Sequence, residues 1–285
     1  MSEEDLAWAA GFFDAEGSTA LCRNRPQRTL KFRCSISQTG PEVCPETLLK
    51  FRDAVGVGTI RGPSKLGVFY WTTETFGEAA LAISRIWPWL GTAKRKQFVT
   101  YARRLQAYQR LRFARAVNPR TLRVIASFAV SWSRFARWSD VRNDAHEIEW
   151  AAGLFDGEGS VVLKRRVWKD KTFHVITASV PQGGRSQVPE VLSRFQGAVR
   201  MGAIYGPGRW RNANLRSYDW HLTQPEHVRQ LVELLWPFLG PRKRAQAGAN
   251  FAIYDSRRHR AVKGRRIGSS TARWLSEVGP QLASR

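Results

Sequence analysis

Hydrophobic and polar residues alternate most regularly at residues 30–38. Apolar and polar side chains take turns there in the order Leu30, Lys31, Phe32, Arg33, Cys34, Ser35, Ile36 and Ser37. This period of two predicts a β-strand with one apolar face and one cationic face. Upstream, apolar residues at helical spacing predict a helix at residues 5–14, which the Glu-Gly pair after it ends.

The neighbouring elements follow from the same kind of pattern. We predict a strand at 18–23, a helix at 45–55, short strands at 58–61 and 68–73, and a helix at 76–89. The order of elements is therefore α-β-β-α-β-β-α. It indicates an α+β module in which helices cover the apolar face of an antiparallel sheet and the basic face stays open.

The module occurs twice in the chain. The stretch "WAAGFFDAEGS" at residues 8–18 recurs as "WAAGLFDGEGS" at residues 150–160, with nine of eleven positions identical. Later, "IWPWLGTAKRKQ" aligns with "LWPFLGPRKRAQ". Repetition on this scale indicates two pseudo-symmetric copies of one folding unit. We predict an N-terminal module with a following basic helix at 1–117, a linker at 118–145, a C-terminal module at 146–255 and a basic tail at 256–285.

The basic helix is predicted from residue 92 onward. Its apolar positions recur at helical spacing, and they are Phe98, Tyr101, Leu105 and Tyr108. The arginines on its other side are either solvated or in contact with phosphate. The tail segment at 256–266, "SRRHRAVKGRR", offers the same two alternatives.

Charge is the strongest signal in the composition. The chain has 46 Lys and Arg against 23 Asp and Glu, a formal net charge of +23. Such a surplus favours a polyanionic partner, and nucleic acid ranks ahead of a membrane surface because the cations are spread along the chain. The three cysteines suit core positions in a reducing compartment. With no signal-peptide pattern and no long apolar run, we expect a soluble, intracellular, non-secreted protein.

Two carboxylates stand at the same unusual position in both copies. Glu16 and Glu158 follow the repeated helices, where the negative end of the helix dipole disfavours a carboxylate by roughly 0.3–1 kcal/mol. A divalent cation would offset that cost, because Mg²⁺ prefers oxygen ligands. The neighbouring Asp14 and Asp156 are either further ligands or structural residues, and the structural role is favoured.

Small residues in the two repeated helices predict how these carboxylates meet. Alanines and the glycines Gly11 and Gly153 let two helix backbones approach closely about a pseudo-twofold axis. That packing would bring Glu16 and Glu158 together beneath a basic surface. Two such sites suit metal-assisted hydrolysis of both strands of a DNA duplex.

The segments "AAGFFDAEG" and "AAGLFDGEG" resemble the signature of the LAGLIDADG homing endonucleases, in their single-chain form with two motifs. The resemblance implies two αββαββα halves with saddle-shaped sheets, packed through the motif helices. It implies a monomer that cuts double-stranded DNA at a long, pseudo-palindromic or asymmetric site and leaves short 3′ overhangs. The cofactor implied is Mg²⁺, with Mn²⁺ or Ca²⁺ able to occupy the same sites.

The resemblance also assigns site residues. The last acidic residue of each motif, Glu16 and Glu158, is the expected metal ligand, assisted by the backbone carbonyls of Ala15 and Gly157. The family further places a glutamine and a lysine around each metal site, which implies Gln38, Gln182, Lys94 and Lys243. Lys96 is a rival for the first lysine, but it aligns with Ala245 in the repeat.

Expected DNA contacts lie on the polar faces of the strands and in their loops. In the first copy they are Arg23, Arg25, Arg28, Lys31, Arg33, Ser35, Arg61 and Lys65. In the second copy they are Lys164, Arg166, Lys169, Lys171, Thr177, Arg209, Arg211 and Arg216. Arginine can read guanine edges with two hydrogen bonds, whereas lysine more often contacts phosphate.

Three functions are compatible with this pattern. The first is a Mg²⁺-dependent, site-specific endodeoxyribonuclease. The second is a related intron RNA maturase that assists splicing, and the third is a noncatalytic DNA-binding regulator on the same fold. The presence of both Glu16 and Glu158 favours the endonuclease, because a protein that only binds has no need of two carboxylates facing phosphates.

Overall fold

A computed structural model describes residues 2–24, 29–40, 43–113, 142–169, 171–184, 187–209 and 216–261. The first module comprises α1 (Glu3–Glu16), β1 (Ser18–Asn24), β2 (Thr29–Thr39), α2 (Glu46–Val55), β3 (Thr59–Arg61), β4 (Val68–Thr72) and α3 (Phe76–Ile86). A 3₁₀ turn (Trp87–Trp89) and the long helix α4 (Thr92–Phe113) follow. The α-β-β-α-β-β-α order predicted from the sequence is thereby confirmed.

The second module repeats this order. It comprises α5 (Glu147–Glu158), β5 (Ser160–Trp168), β6 (Lys171–Gly184), α6 (Glu190–Val199), β7 (Ala203–Arg209), β8 (Arg216–Leu222), α7 (Pro225–Leu235) and the long helix α8 (Pro241–Ala261). Each module has one four-stranded antiparallel sheet, in the orders β1-β2-β4-β3 and β5-β6-β8-β7. The two modules therefore share one topology, as the sequence repeat predicts.

The alternation in β2 is confirmed by burial. Phe32, Cys34 and Ile36 are at most 2% exposed, whereas the intervening residues are partly or fully exposed. Helices cover this apolar side, with α3 and α4 both packed on β2. On α4, Phe98 and Leu105 are buried as the helical spacing predicts. Of the three cysteines only Cys34 is buried, while Cys22 and Cys44 are partly exposed and all three are free thiols.

Helices α1 and α5 pack against each other and form the interface between the modules. All residues at positions 7–14 of α1 and 150–156 of α5 are buried, as expected for helices with neighbours on every side. A Cβ atom at Gly11 would overlap the carbonyl oxygen of Trp150 and lie 2.9 Å from the amide nitrogen of Leu154. A Cβ atom at Gly153 would overlap the Trp8 carbonyl oxygen in the same way. Both glycines are therefore needed for α1 and α5 to cross this closely.

The ends of two helices differ from the sequence expectation. Helix α1 runs to Glu16, two residues beyond the predicted end, because Gly17 rather than Glu16 forms its C-cap. Helix α3 ends at Ile86 and continues as the 3₁₀ turn, which contains Pro88. Most of the predicted linker and tail lies outside the described residues. No described helix is both long enough and apolar enough to span a membrane.

Candidate active site

The crossing of α1 and α5 brings their C-terminal ends together. Glu16 and Glu158 are the last residues of these helices. The amides of Gly17 and Gly159 cap the helices by donating to the carbonyls of Phe13 and Phe155, each at 2.8 Å. A Cβ atom at Gly157 would overlap that of Ala15 and lie 3.1 Å from Cγ of Glu16. The two helix ends therefore meet at the residues beside both glutamates.

Burial and mutual repulsion perturb both carboxyls. Burial, followed by the charge of Glu158, raises the pKa of Glu16 from 4.5 to about 7, against the opposing effect of Lys243 and Lys94. Burial also raises the pKa of Glu158, again opposed by these two lysines. Two carboxylates held close together in a partly desolvated position are disfavoured unless a cation joins them.

Two lysines from the long helices reach this position. The ammonium of Lys94 donates to the carbonyl of Gly17, and that of Lys243 donates to the carbonyl of Gly159. Burial lowers the pKa of both lysines, while the nearby carboxylates raise it. Lys96, the rival for the first lysine, is exposed, whereas Lys94 contacts the Gly17 carbonyl.

A cleft of ≈ 390 Å³ adjoins Glu16, and residues of both modules line it. Gln38 lies there and accepts a hydrogen bond of 2.5 Å from Thr47 Oγ1. Lys243 and Gln246 reach the same cleft from the second module. Gln182 lies at the corresponding place on β6, opposite Tyr218, and is partly buried. The surroundings of Glu16 are therefore composite, because residues of both modules lie beside it.

Gln246 and Arg242 also line this cleft, and sequence reasoning did not single them out. A signal was present for the glutamine, because Gln97 and Gln246 occupy the same place in the aligned repeats. Arg242 has no cationic counterpart, since Ala93 stands at its aligned position. The aligned repeats therefore contained a signal for Gln246 but none for Arg242.

Asp14 and Asp156 are buried and fully engaged within the fold. Each carboxylate accepts the indole N–H of the opposite module's motif tryptophan at 2.9 Å. Each also accepts a backbone amide of its own module, from Gly91 at 2.8 Å or from Gly240 at 2.8 Å. Burial raises the pKa of both aspartates to about 6, against these hydrogen bonds. Their geometry fits the favoured structural role.

The donor set at the helix ends suits a hard divalent cation. Glu16 and Glu158 supply carboxylate oxygens, and backbone carbonyls at Ala15 and Gly157 stand immediately before them. At the other end of the motif helices, Glu4, His146 and Glu149 also hold possible ligand atoms within 4.8 Å of one another. There the two ring nitrogens of His146 already have carboxylate partners, Glu149 at 3.3 Å and Glu3 at 3.5 Å.

The open faces of the sheets gather several of the predicted DNA contacts. Cross-strand partners share a face, and the registers place Lys31, Arg33, Ser35 and Arg61 together on the first sheet. Lys164, Arg166 and Thr177 share the open face of the second sheet. Thr177 is buried, however, and its hydroxyl donates to the Val162 carbonyl at 3.5 Å.

The remaining predicted contacts are distributed differently. Arg23 pairs with Leu30 and so projects from the opposite face of its sheet. Three residues are exposed at turns or strand ends, namely Lys65, Lys169 and Arg216. Only the backbone is described for Lys171 and Arg209. Arg25, Arg28 and Arg211 lie outside the described residues.

An acidic side chain engages two cations of the first sheet. Glu74 is paired with Lys31, and its Oε1 lies 3.1 Å from an Arg61 nitrogen. The hydrogen bond from Lys31 lowers the pKa of Glu74. These two cations are therefore neutralised in part in the free protein.

No protein-family model and no curated protein matches the sequence. Solved structures match over most of the chain. The LAGLIDADG meganuclease I-CpaMI bound to uncleaved DNA is 15% identical at a TM-score of 0.63, covering 100% of this chain and 99% of its own.

Two further meganuclease structures have the same architecture. I-AabMI, also bound to uncleaved DNA, is 16% identical at a TM-score of 0.61, covering 91% and 92% of the two chains. I-SmaMI, bound to an uncleaved DNA target in the presence of calcium ions, is 14% identical at a TM-score of 0.59. The match covers 89% of this chain and 92% of the I-SmaMI chain. The chain therefore has the two-module fold of the LAGLIDADG meganucleases.

Proposed function

We propose that the protein is a LAGLIDADG homing endonuclease that acts as a monomer on double-stranded DNA. It hydrolyses one phosphodiester in each strand of a long target site with Mg²⁺ and leaves short 3′ overhangs. The observation that carries this proposal is the meeting of Glu16 and Glu158, one from each module, at the crossing of α1 and α5. A fold shared with meganucleases bound to DNA supports it.

The carboxylates and neighbouring carbonyls would hold the metal. Glu16 and Glu158 are close enough for the charge of one to act on the other, and the carbonyls of Ala15 and Gly157 directly precede them in the chain. When bound there, a divalent cation lowers the pKa of an attacking water and stabilises charge on the scissile phosphate. The repulsion that raises the pKa of Glu16 in the free protein would be relieved by the same cation.

The chain's own cations and amides complete the site. Lys94 and Lys243 are tethered at the glycine after each glutamate, where an ammonium can stabilise a phosphate oxygen. Gln38 lies in the cleft next to Glu16 and can orient a water. Gln182 takes the equivalent role in the second module. Each glutamate thus serves the cut on one strand.

The open sheet faces would bind the DNA. Lys164 and Arg166 are exposed on the second sheet, and Lys31, Arg33 and Arg61 line the first. Contact with phosphates would release Lys31 and Arg61 from Glu74 in exchange for DNA oxygens. The two faces differ in sequence at most positions, so the target is expected to be asymmetric.

A cleavage selection tests the proposal directly. The protein is incubated with a randomised duplex library and Mg²⁺, and the cut ends are sequenced. We expect one long site, with staggered cuts leaving 3′ overhangs. Glu16→Gln and Glu158→Gln should each abolish double-strand cleavage while binding to the selected site persists. Glu4→Gln, at the exposed other end of α1, is the matched control and should cleave normally.

Three outcomes would count against the proposal. Full cleavage by the Glu16→Gln, Glu158→Gln double variant would show that these glutamates are not needed for hydrolysis. Binding that does not weaken steeply with salt would exclude a basic phosphate-contacting surface. Specific binding of RNA without cleavage of any duplex would favour the maturase instead.

A further inference from the structure

Two buried hydrogen bonds cross the interface in opposite directions. Trp8 Nε1 donates to Asp156 Oδ2, and Trp150 Nε1 donates to Asp14 Oδ2, both at 2.9 Å. Both indoles are at most 1% exposed, and both aspartates are 4% exposed. Each tryptophan therefore binds a carboxylate that belongs to the other module.

Each of these aspartates joins two helices of its own module. Asp14 stands two residues before Glu16, and it accepts the amide of Gly91, where α4 begins. Lys94 follows three residues later on α4 and reaches back to the carbonyl of Gly17. The Asp14 carboxylate thus joins the end of the helix that carries the glutamate to the start of the helix that carries the lysine.

The second module has the same junction. Asp156 stands two residues before Glu158 and accepts the amide of Gly240 at 2.8 and 3.0 Å. Helix α8 begins at the next residue, and its Lys243 reaches the carbonyl of Gly159. A hydrogen bond to a buried charged acceptor is stronger and shorter than one between neutral groups, so it fixes where the carboxylate points.

We propose that Trp8 and Trp150 are positioning residues that each hold the glutamate and the lysine of the opposite module. Trp150 fixes Asp14, and through it Glu16 and Lys94. Trp8 fixes Asp156, and through it Glu158 and Lys243. This assignment rests on the proposed endonuclease function, and it adds a crosswise dependence between the two halves.

Other tryptophans of the chain supply matched controls. Trp71 and Trp220 are fully buried, and each indole donates to a backbone carbonyl of its own module, Val57 at 3.0 Å and Met201 at 2.9 Å. Phenylalanine at any of the four positions keeps an aromatic ring and removes one N–H. All four variants thus lose one indole hydrogen bond, and only Trp8→Phe and Trp150→Phe lose one that crosses the interface.

The test measures the cleavage rate of each strand separately, in single turnover at saturating protein on the selected site. Trp150→Phe should slow the strand that Glu16→Gln slows more, by about tenfold or more, since small misplacements of reacting groups are costly. Trp8→Phe should slow the strand that Glu158→Gln slows more. DNA affinity should stay unchanged. Trp71→Phe and Trp220→Phe should lower Tm without altering the ratio of the two strand rates.

Amide hydrogen exchange provides a readout without DNA. Trp150→Phe should speed exchange at Gly91 and spare Gly240, and Trp8→Phe should do the converse. Equal slowing of both strands, a strand preference opposite to the one stated, or unchanged exchange at both glycines would overturn the inference. A wild-type protein that cleaves no duplex would instead contradict the proposed function, while the exchange experiment would still decide the crosswise coupling.

Discussion

The two sides of the interface share their hydrogen bonds but differ in the cation packed against each tryptophan. Lys50 Nζ lies 4.0 Å from the Trp8 ring centroid, and Arg194 Cζ lies 3.7 Å from that of Trp150. Lys50 donates to the Phe238 carbonyl at 2.9 Å, whereas Arg194 donates to the Trp89 carbonyl at 2.6 Å and also forms a bidentate pair with Glu147.

The hydrogen bonds at the interface are common to both modules, whereas the cation beside each tryptophan is not. Tryptophan, aspartate and glycine keep the same geometry on both sides, because they connect directly to the helix ends that carry the glutamates. The cation is free to vary between lysine and arginine. Glu147 has its counterpart in Asp5, which instead belongs to the capping box with Ser2. In the second module this helix-terminal acid pairs directly with Arg194 at 2.6 Å, whereas in the first module Asp5 acts on Lys50 through its charge.

The largest expected effect comes from a feature that is equal on both sides. Gly11→Ala or Gly153→Ala would drive a methyl group into the carbonyl of the opposite tryptophan. We expect each to cost about 3 kcal/mol or more, at the upper end of overpacking effects, because backbone must move. Urea unfolding measures this loss. Gly197→Ala in α6, where nothing lies within 4 Å, is the control and should be neutral or stabilising. Unequal losses of unfolding free energy at Gly11 and Gly153 would contradict the equal packing of the two glycines.

The cations should give unequal effects. Arg194→Met leaves Glu147 without its bidentate partner and the Trp89 carbonyl without its donor, at a cost of about 3 kcal/mol. Lys50→Met removes one hydrogen bond to a carbonyl, and we expect a loss of about 1 kcal/mol. Urea unfolding of the two variants compares them. Equal losses would mean that the bidentate pair with Glu147 adds nothing to the second side.

These contacts also mark the limit of what the sequence predicts. The period-two alternation of β2 and the repeated motif are local patterns, and they are sufficient for the element order and the two-module fold. The bond from Trp8 to Asp156 joins residues 148 positions apart. It depends on the angle and depth of the helix crossing, which no local pattern specifies. For the same reason the sequence could not predict that Lys243 and Gln246 of the second module line the cleft beside Glu16 of the first.

A smaller effect should come from the pair Ala15 and Gly157, where the two motifs differ. Gly157→Ala places two methyl groups in the same space and should cost about 1–2 kcal/mol. Ala15→Gly in the same chain removes the overlap, so the double variant should regain most of that loss. A double-mutant cycle from urea unfolding measures the coupling energy. Additive losses would show that the asymmetry of the motifs is not steric.

The smallest expected effect concerns pH, and it compares the protein with and without metal. The pKa of Glu16 is about 7 in the folded, metal-free protein and 4.5 in an unperturbed chain. Between these values the folded state binds more protons than the unfolded state, so the ionised carboxyl weakens folding above about pH 7, and this penalty fades as the pH falls. Mg²⁺ requires the ionised form. The rise in Tm on adding Mg²⁺ should therefore be larger at about pH 8 than at about pH 6, and Glu16→Gln should flatten the difference. An equal rise at both pH values would exclude Glu16 as a ligand.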